Sequence, residues 1–221
     1  MLYKLGSVLI DQGRYKAAED VIRRLIESHE SQSGNNGNDV DTLRALYLLG
    51  RVLDCQGLHM KAERLHRRVL TGRAKMLGVE HPDMLTSVDT LGLVLKRQGK
   101  YEEAEAMQRR ALEGREKVLG VEHPDTLTSV NNLGLVLERQ GKYEEAEAMH
   151  RRALQGYEKV LGVEHSYTLT SVNNLGLVLK GQGKYEEAEA MQRRALEGRE
   201  KVLGVEHLDT LTSMTNMAST F

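Results

Sequence analysis

The stretch DTLTSVNNLGLVLERQGKYEEAEAMHRRALQGYEKVLG, residues 125–162, decides the fold, because two apolar periodicities flank one glycine in it. In its first part Leu127, Val130, Leu133, Gly134 and Leu137 recur at spacings of three and four, which predicts one packed face of a helix over about 125–140. Asp125, after Pro124, is the expected N-cap, since a carboxylate accepts from the unpaired N–H groups of a first turn. Gly141 is the expected stop, because glycine enters the left-handed C-terminal conformation without penalty. In the second part Tyr143, Ala146, Met149, Ala153, Leu154 and Leu161 predict a second amphipathic helix over about 143–160. Glu144, Glu145, Glu147, Arg151, Arg152, Glu158 and Lys159 fill its other face. Gly134 and Ala146 are small enough for the two helices to approach closely, and Ala153 can admit a side chain from a neighbour. Two antiparallel helices joined by a short turn cannot bury faces this wide alone, so the pair has to stack on others like itself.

Such others are present. Gly57, Gly99, Gly141 and Gly183 are each 42 residues apart, and residues 78–119 differ from 120–161 at seven of 42 positions. Gly13 precedes Gly57 by 44 residues, so the first unit carries a two-residue insertion, expected as a flexible loop in SQSGNNGND at 31–39. The units run approximately 1–38, 39–80, 81–122, 123–164, 165–206 and, in part, 207–221, forming one array. Aligned to the type unit, Met1 falls inside a first helix and Phe221 inside another, so the array reads as cut at both ends. A solenoid without polar caps exposes apolar terminal faces, which predicts self-association through them.

Composition restricts the function classes. The 31 Lys+Arg and 32 Asp+Glu leave a formal charge of −1, so no global basic field attracts nucleic acid or an anionic membrane. No apolar run approaches the roughly 18 to 20 residues of a membrane span, and MLYKLGSVLIDQG lacks a signal-peptide pattern, so a cytoplasmic protein is expected. Cys55, the one cysteine, allows neither an internal disulfide nor a cysteine-based zinc site.

Leu133-Gly134, Leu137, Gly141, Tyr143, Ala146 and Ala153 match the signature positions of the tetratricopeptide repeat, with Val130 where the consensus has tryptophan. The 42-residue unit, in NNLGLVLERQGKYEEAEAMHRRALQGYEKVLGVEH, resembles the repeats of kinesin light chain. It also looks like the C-terminal arrays of fungal nucleotide-binding receptors of the innate-immunity type. The resemblance implies an all-α fold, a tetratricopeptide-type right-handed superhelical solenoid of antiparallel helix pairs. It implies a protein-interaction scaffold, with a sensing or autoinhibitory receptor array and a kinesin-light-chain-like cargo adaptor as alternatives. The chain has no heptad segment of the kind that joins kinesin light chain to the motor. It also has no GxxxxGK[ST] sequence; GLVLERQGKY has the wrong spacing.

In tetratricopeptide arrays the first-helix stripe lines a concave groove, which here implies Thr128, Thr170, Asn131, Asn132, Asn173, Asn174 and Asn216, with Leu135 and Leu177 as an apolar floor. Asparagine offers a donor and an acceptor to the peptide bonds of an extended ligand; bonding of the same amides to backbone or to the next repeat is the competing reading. Lys96, Arg97, Arg139 and Lys180 would make one groove edge basic and favour acidic peptide segments. Positions 89, 90 and 96 against 131, 132 and 138, and 138 and 139 against 180 and 181, differ between consecutive units, so variation leans toward the stripe.

Other constellations read as structural. His81, His123, His165 and His207 recur once per repeat in GVEH, in separate loops where they cannot converge on one ion; they are expected to fix the loops by local hydrogen bonds. His59 and His66 lie seven apart without a third ligand nearby. Glu144-Glu145 and Glu102-Glu103 diverge around their helices and complement the dipole rather than forming a catalytic pair. Arg109-Arg110, Arg151-Arg152 and Arg193-Arg194 face nearby glutamates. Gly114, Gly156 and Gly198, each inside a helix at a cost near 1 kcal/mol relative to alanine, call for a close approach of the next repeat or a local bend. In the fifth unit HSY replaces HPD at 165–167, with Ser166 expected as cap and Tyr167 in a local contact. No nucleophile–base pair, metal cluster or cofactor loop is apparent, so no enzymatic activity and no cofactor are expected.

Overall fold

A computed structural model describes residues 2–33 and 39–218, and the described residues form eleven α-helices and no strand. First helices of successive hairpins are α1 (Leu2–Asp11), α3 (Val40–Cys55), α5 (Pro82–Arg97), α7 (Pro124–Arg139), α9 (Ser166–Gly181) and α11 (Leu208–Ala218). Second helices are α2 (Tyr15–Ser33), α4 (His59–Leu77), α6 (Tyr101–Leu119), α8 (Tyr143–Leu161) and α10 (Tyr185–Leu203). The chain divides into two compact units, Met1–Gly114 and Arg115–Phe221. In the first, α1 packs on α2, α2 on α3, α3 on α4 and α4 on α5; in the second, α7 packs on α8, α8 on α9, α9 on α10 and α10 on α11. Each unit is a stack of helical hairpins.

Sequence chemistry sets the helix ends, with one correction. The cap of α7 is His123, whose Nδ1 accepts from Asp125 N–H at 3.1 Å; Pro124 takes the first helical position and Asp125 sits in the first turn. An imidazole nitrogen here does what a capping carboxylate would do, and proline has no N–H to satisfy. His81, His165 and His207 cap α5, α9 and α11 the same way, which gives the once-per-repeat histidine its local role. His165, not Ser166, therefore caps the fifth unit. Gly141 stops α7 as expected, at φ 76 with open space around it, so backbone conformation and not crowding demands glycine. In the insertion, 31–33 continue α2 rather than belonging to a loop. Residues 34–38 lie outside the described residues, and Asp39 caps α3 by accepting from Asp41 and Thr42 N–H at 3.0 and 2.9 Å.

The helical glycines answer to crowding. A Cβ built on Gly156 of α8 would lie 2.4 Å from Leu127 of α7, and one on Gly134 of α7 would lie 2.7 Å from His150 of α8. The two helices thus notch each other twice, within one hairpin rather than against the following repeat. Gly114 against Leu85 and Gly198 against Leu169 repeat the arrangement. Along the first helices, Val130, Leu133, Val136 and Leu137 are buried with their counterparts in α5 and α9. On α11, Leu211 is 45% exposed where its counterparts Leu43, Leu85, Leu127 and Leu169 are 2% exposed, since no second helix covers it among the described residues.

A buried guanidinium ties hairpins together. Arg115 Nη1 donates to Asp125 O at 3.0 Å and Ser129 Oγ at 2.8 Å, and Arg73 and Arg199 bond the counterparts Asp83 O with Ser87, and Asp209 O with Ser213. At the equivalent position Tyr157 stands instead, its hydroxyl 2.8 Å from Thr128 Oγ1, and the buried Ser171 hydroxyl, which the arginine would have met, has no partner. Tyr167 replaces the aspartate of the same unit and packs on Tyr157 with ring centroids 5.7 Å apart. An orphaned buried hydroxyl costs free energy, whereas losing a bonded one strands its charged donor. Urea unfolding of Ser129→Ala is accordingly expected to show a loss of about 1–3 kcal/mol. Ser171→Ala should be neutral or stabilising; equal losses at the two serines would refute the assignment.

Candidate partner-binding face

The first-helix stripe combines a buried polar layer with half-exposed residues. In the second unit Asn131, Asn132, Asn173 and Asn174 are each at most 9% exposed. Asn174 Nδ2 donates to Asn131 Oδ1 at 3.2 Å, and Asn216 Nδ2 to Asn173 Oδ1 at 2.9 Å. Two polar stripe positions, displaced by one residue, thus bond from one first helix to the next, which is the competing reading of the asparagine stripe. His150 of α8 comes from beneath, its Nδ1 3.0 Å from Asn131 Oδ1. Since Asn131 Oδ1 already accepts from Asn174, the proton of that contact belongs on His150 Nδ1. The amide oxygen is thus doubly bonded, and the spacing between α7 and α9 is fixed by side-chain polarity as well as by apolar packing.

The first unit makes the same cross-helix link from different residues. Tyr47 of α3 occupies the Asn131 position and Thr90 of α5 the Asn132 position, with 3.1 Å between their hydroxyls.

Half-exposed over the amide layer stand Thr128 and Leu135 on α7, and Thr170 and Leu177 on α9. Thr128 and Thr170 return their hydroxyls to the carbonyls of Pro124 and Ser166.

Three of the four residues expected along the basic edge are engaged within the chain. Arg97 is ion-paired with Asp54, a nearly buried carboxylate that also holds His59 Nδ1 at 2.8 Å. Lys96 and Lys180 are half-buried and each has an interaction partner. Arg139 is exposed and, among the described residues, carries no ion pair. Burial lowers the Arg97 pKa from its ordinary value, and the ion pair with Asp54 engages its guanidinium. His59 and His66 do not face one site: His59 points to Asp54, and His66 lies fully buried against Gly50. Among the described residues no cluster of histidine, cysteine and carboxylate groups could hold a metal, and no helix is long and apolar enough to cross a membrane.

Paired helices of constant length, notched by glycines and recurring every 42 residues, are the geometry that a tetratricopeptide model describes, and one matches residues 1–75 and 83–159. A second tetratricopeptide model matches 168–209. The chain belongs to the tetratricopeptide repeat family. Among solved structures it is similar to the nearly identical repeats of a Podospora anserina putative kinesin light chain, at 22% identity, a TM-score of 0.75, and coverage of 90% of this chain and 93% of that one. BtubC (BKLC) of P. vanneervenii aligns at 22% identity with a TM-score of 0.76, covering 93% of this chain and 82% of that one. The apo quorum sensor NprR of B. thuringiensis aligns at 16% identity and a TM-score of 0.76, covering 100% of this chain and 58% of that one. No curated protein matches. At these identities the likeness shows the fold, a helical repeat of the type typical of protein–protein interaction scaffolds and generally non-catalytic.

The residue at the position of His150 alternates along the array: His66, Gln108, His150 and Gln192 all lie under a first-helix glycine. Gln108 and Gln192 donate to Asp89 O and Asn173 O at 2.9 and 3.0 Å. His66 is different, because burial first, then Arg51 and Arg73, pull its pKa down to about 4. Tyr47 edges against its ring at 5.6 Å. Between about pH 6.5 and 4 the unfolded chain takes a proton that the fold refuses, so stability falls as pH is lowered through that window and levels off below it. The expected contribution is about 3 kcal/mol. His66→Gln, the residue of the neighbouring repeats, should remove that component, read as the difference between wild-type and variant urea unfolding at pH 7 and pH 4.5; identical pH slopes would count against it.

Proposed function

We propose that the chain is a protein-interaction scaffold that holds a peptide or protein segment on the first-helix face of its second unit. The observation carrying this reading is the amide relay from α7 through α9 to α11: Asn131 to Asn174 and Asn173 to Asn216 lock consecutive first helices at one spacing. A surface so fixed loses little entropy on binding. It presents Thr128, Leu135, Thr170 and Leu177 in a repeating pattern suited to alternate side chains of an extended segment, with the exposed Arg139 at one end favouring acidic residues. The buried Asn131, Asn132, Asn173 and Asn174 act in this reading mainly as positioning residues, and Asn216, half-buried, carries the relay onto α11. The related quorum sensor NprR, and a Rap protein solved in complex with Competence and Sporulation Factor at 16% identity, support a ligand-holding role for the scaffold.

The test is to select peptides from a displayed random library against the array, then measure their affinity for a Leu135→Ser/Leu177→Ser variant. Loss of at least tenfold with unchanged helicity is expected. Peptides that bind the variant as tightly as the parent would move the site elsewhere. Asn174→Ala should act differently, lowering stability by about 1–3 kcal/mol as Asn131 loses a partner, a shift read by urea unfolding.

Association of copies through α11 is a second component, favoured by Leu208 and Leu211, which stand open beside the buried Thr210 and Ser213. A monomeric mass independent of concentration in sedimentation would exclude it.

A further inference from the structure

The first helices α5, α7 and α9 share one pattern along their stripe, and α3 departs from it. Where those helices have Thr86, Asp89 and Leu93, then Thr128, Asn131 and Leu135, then Thr170, Asn173 and Leu177, α3 has Arg44, Tyr47 and Arg51. The register needs no gap, because these four helices follow one another at 42 residues and the insertion of the first unit lies before α3. Spacings of three and four put Arg44, Tyr47 and Arg51 on one side of α3. Arg44 is exposed, and Tyr47 and Arg51 are half-buried.

Neighbouring rings hold this stripe in place. Arg44 Cζ lies 4.9 Å from the centroid of the Tyr3 ring of α1. Tyr3 is itself pinned, since its hydroxyl donates to Asp41 O at 2.8 Å and stands 2.9 Å from His29 Nε2 of α2. With the phenolic proton given to Asp41 O, the proton of the second contact belongs on His29 Nε2. Burial, foremost, pushes the Tyr3 pKa up to about 12, so the ring stays a neutral phenol and adds no negative charge. Tyr47 is fixed in the same manner, with Arg73 Cζ of α4 5.0 Å from its centroid and its hydroxyl 3.1 Å from Thr90 Oγ1 of α5. A guanidinium stacked on a ring keeps its in-plane N–H groups for an anion.

The field around α3 is positive. Burial lowers the Arg73 pKa and Arg44 pushes it the same way, while burial and then Arg51 and Arg73 lower that of His66. Among the described residues neither Arg44 nor Arg51 has an ion pair, although Asp41 and Asp54 each lie three positions from one of them; Asp54 is taken by Arg97 and His59. Asp89, the acid of the α5 stripe, is 7% exposed and already engaged.

We propose that Arg44, Tyr47 and Arg51 form a docking site for a phosphorylated serine or threonine in a segment of a partner protein, separate from the first-helix face of the second unit. The two arginine Cα atoms are about 10 Å apart along the helix, within the combined reach of their side chains, so one group seated over Tyr47 meets both. A phosphate monoester carries close to two negative charges and three acceptor oxygens, enough to take a fork from each arginine, whereas a carboxylate fits one. Tyr47 and the half-buried Leu93 of α5 offer apolar contact to the residues beside the phosphate. A nucleic-acid backbone finds no continuous cationic track, because the exposed Asp41 closes one end of the stripe.

The test selects peptides with the full chain from a library holding one fixed phosphoserine among randomised neutral residues. Fluorescence anisotropy then compares each selected peptide with its serine and glutamate counterparts. Serine is expected to weaken binding at least tenfold and glutamate threefold or more. Arg44→Thr/Arg51→Leu, which introduces the residues that α7 and α9 already carry, should lose at least tenfold with unchanged helicity. If that variant loses helicity, Arg44→Lys/Arg51→Lys decides, with an expected loss of threefold or more because lysine keeps the charge and lacks the fork. A library without any phosphate-dependent binder would overturn the proposal, as would unchanged affinity in the folded variants or equal affinity for the glutamate peptide. Displacement of the peptide by an equal concentration of inorganic phosphate, or tighter binding of a short duplex DNA, would overturn it too.

Discussion

Everything in this molecule depends on the double notch between the two helices of a hairpin. Gly134 leaves room for the side chain at 150, and Gly156 leaves room for Leu127, so α7 and α8 approach at two levels from opposite sides. Each mid-helix glycine costs about 1 kcal/mol in helix propensity, a cost offset by the close packing it allows. A methyl group at either level would meet side-chain atoms at 2.4 to 2.7 Å, nearer than van der Waals contact allows. Because the notch is made within the hairpin, each repeat presents the same buried Val130, Leu133 and Leu137 ridge to its neighbours. Identical ridges make stacking propagate, and near-identity of the sequence then costs nothing in geometry.

What joins one hairpin to the next is more varied and more polar. Exposed ion pairs such as Lys184 with Glu147 repeat at a fixed offset, but solvent screens them and each contributes little. The buried links weigh more: an arginine to a carbonyl and a serine, a tyrosine to a threonine, an amide to an amide. Their geometry repeats while their chemistry changes, as at Tyr47 with Thr90 against Asn131 with Asn174. Neighbouring repeats are therefore joined by particular partners. Where Tyr157 enters in place of arginine, Tyr167 and Thr128 adjust around it and Ser171 is left over.

Much of this architecture is legible in the sequence, because periods of three and four, a glycine after each helix and a 42-residue repeat are one-dimensional signals. Leu127, Val130, Leu133, Leu137, Ala146 and Ala153 are buried as their spacing predicts. The helix caps are less legible. Aspartate after proline has the right chemistry, yet the helix begins at the proline itself and the histidine before it is the cap. The asparagine stripe shows the harder limit. Helical periodicity distinguishes a core face from its opposite, but a residue on the flank of a first helix is buried by the following first helix. Burial at Asn131 is thus a property of the pair and not of the segment. The useful signal was the 43-residue separation of Asn131 and Asn174, one more than the repeat, which is the offset of two polar groups meeting across adjacent helices.

First and second helices are constrained differently in what their outer side chains can be. Packing constrains a first helix on most of its circumference, since α7 is embraced by α8 and approached by α9; substitutions there must remain compatible with a polar or apolar neighbour in the next repeat. The outer face of a second helix has no such neighbour at positions such as 60, 64, 71 and 75, so side-chain charge there is set almost independently of the fold. The balanced charges of α8 and α10 and the excess of basic residues on α4 are then alternatives available at nearly equal cost in stability. A change of electrostatic character confined to one second helix, on packing otherwise held constant, follows from that freedom. Variation at the stripe of first helices has to pass through the buried bonds beneath it, which is why the asparagines there come as partners.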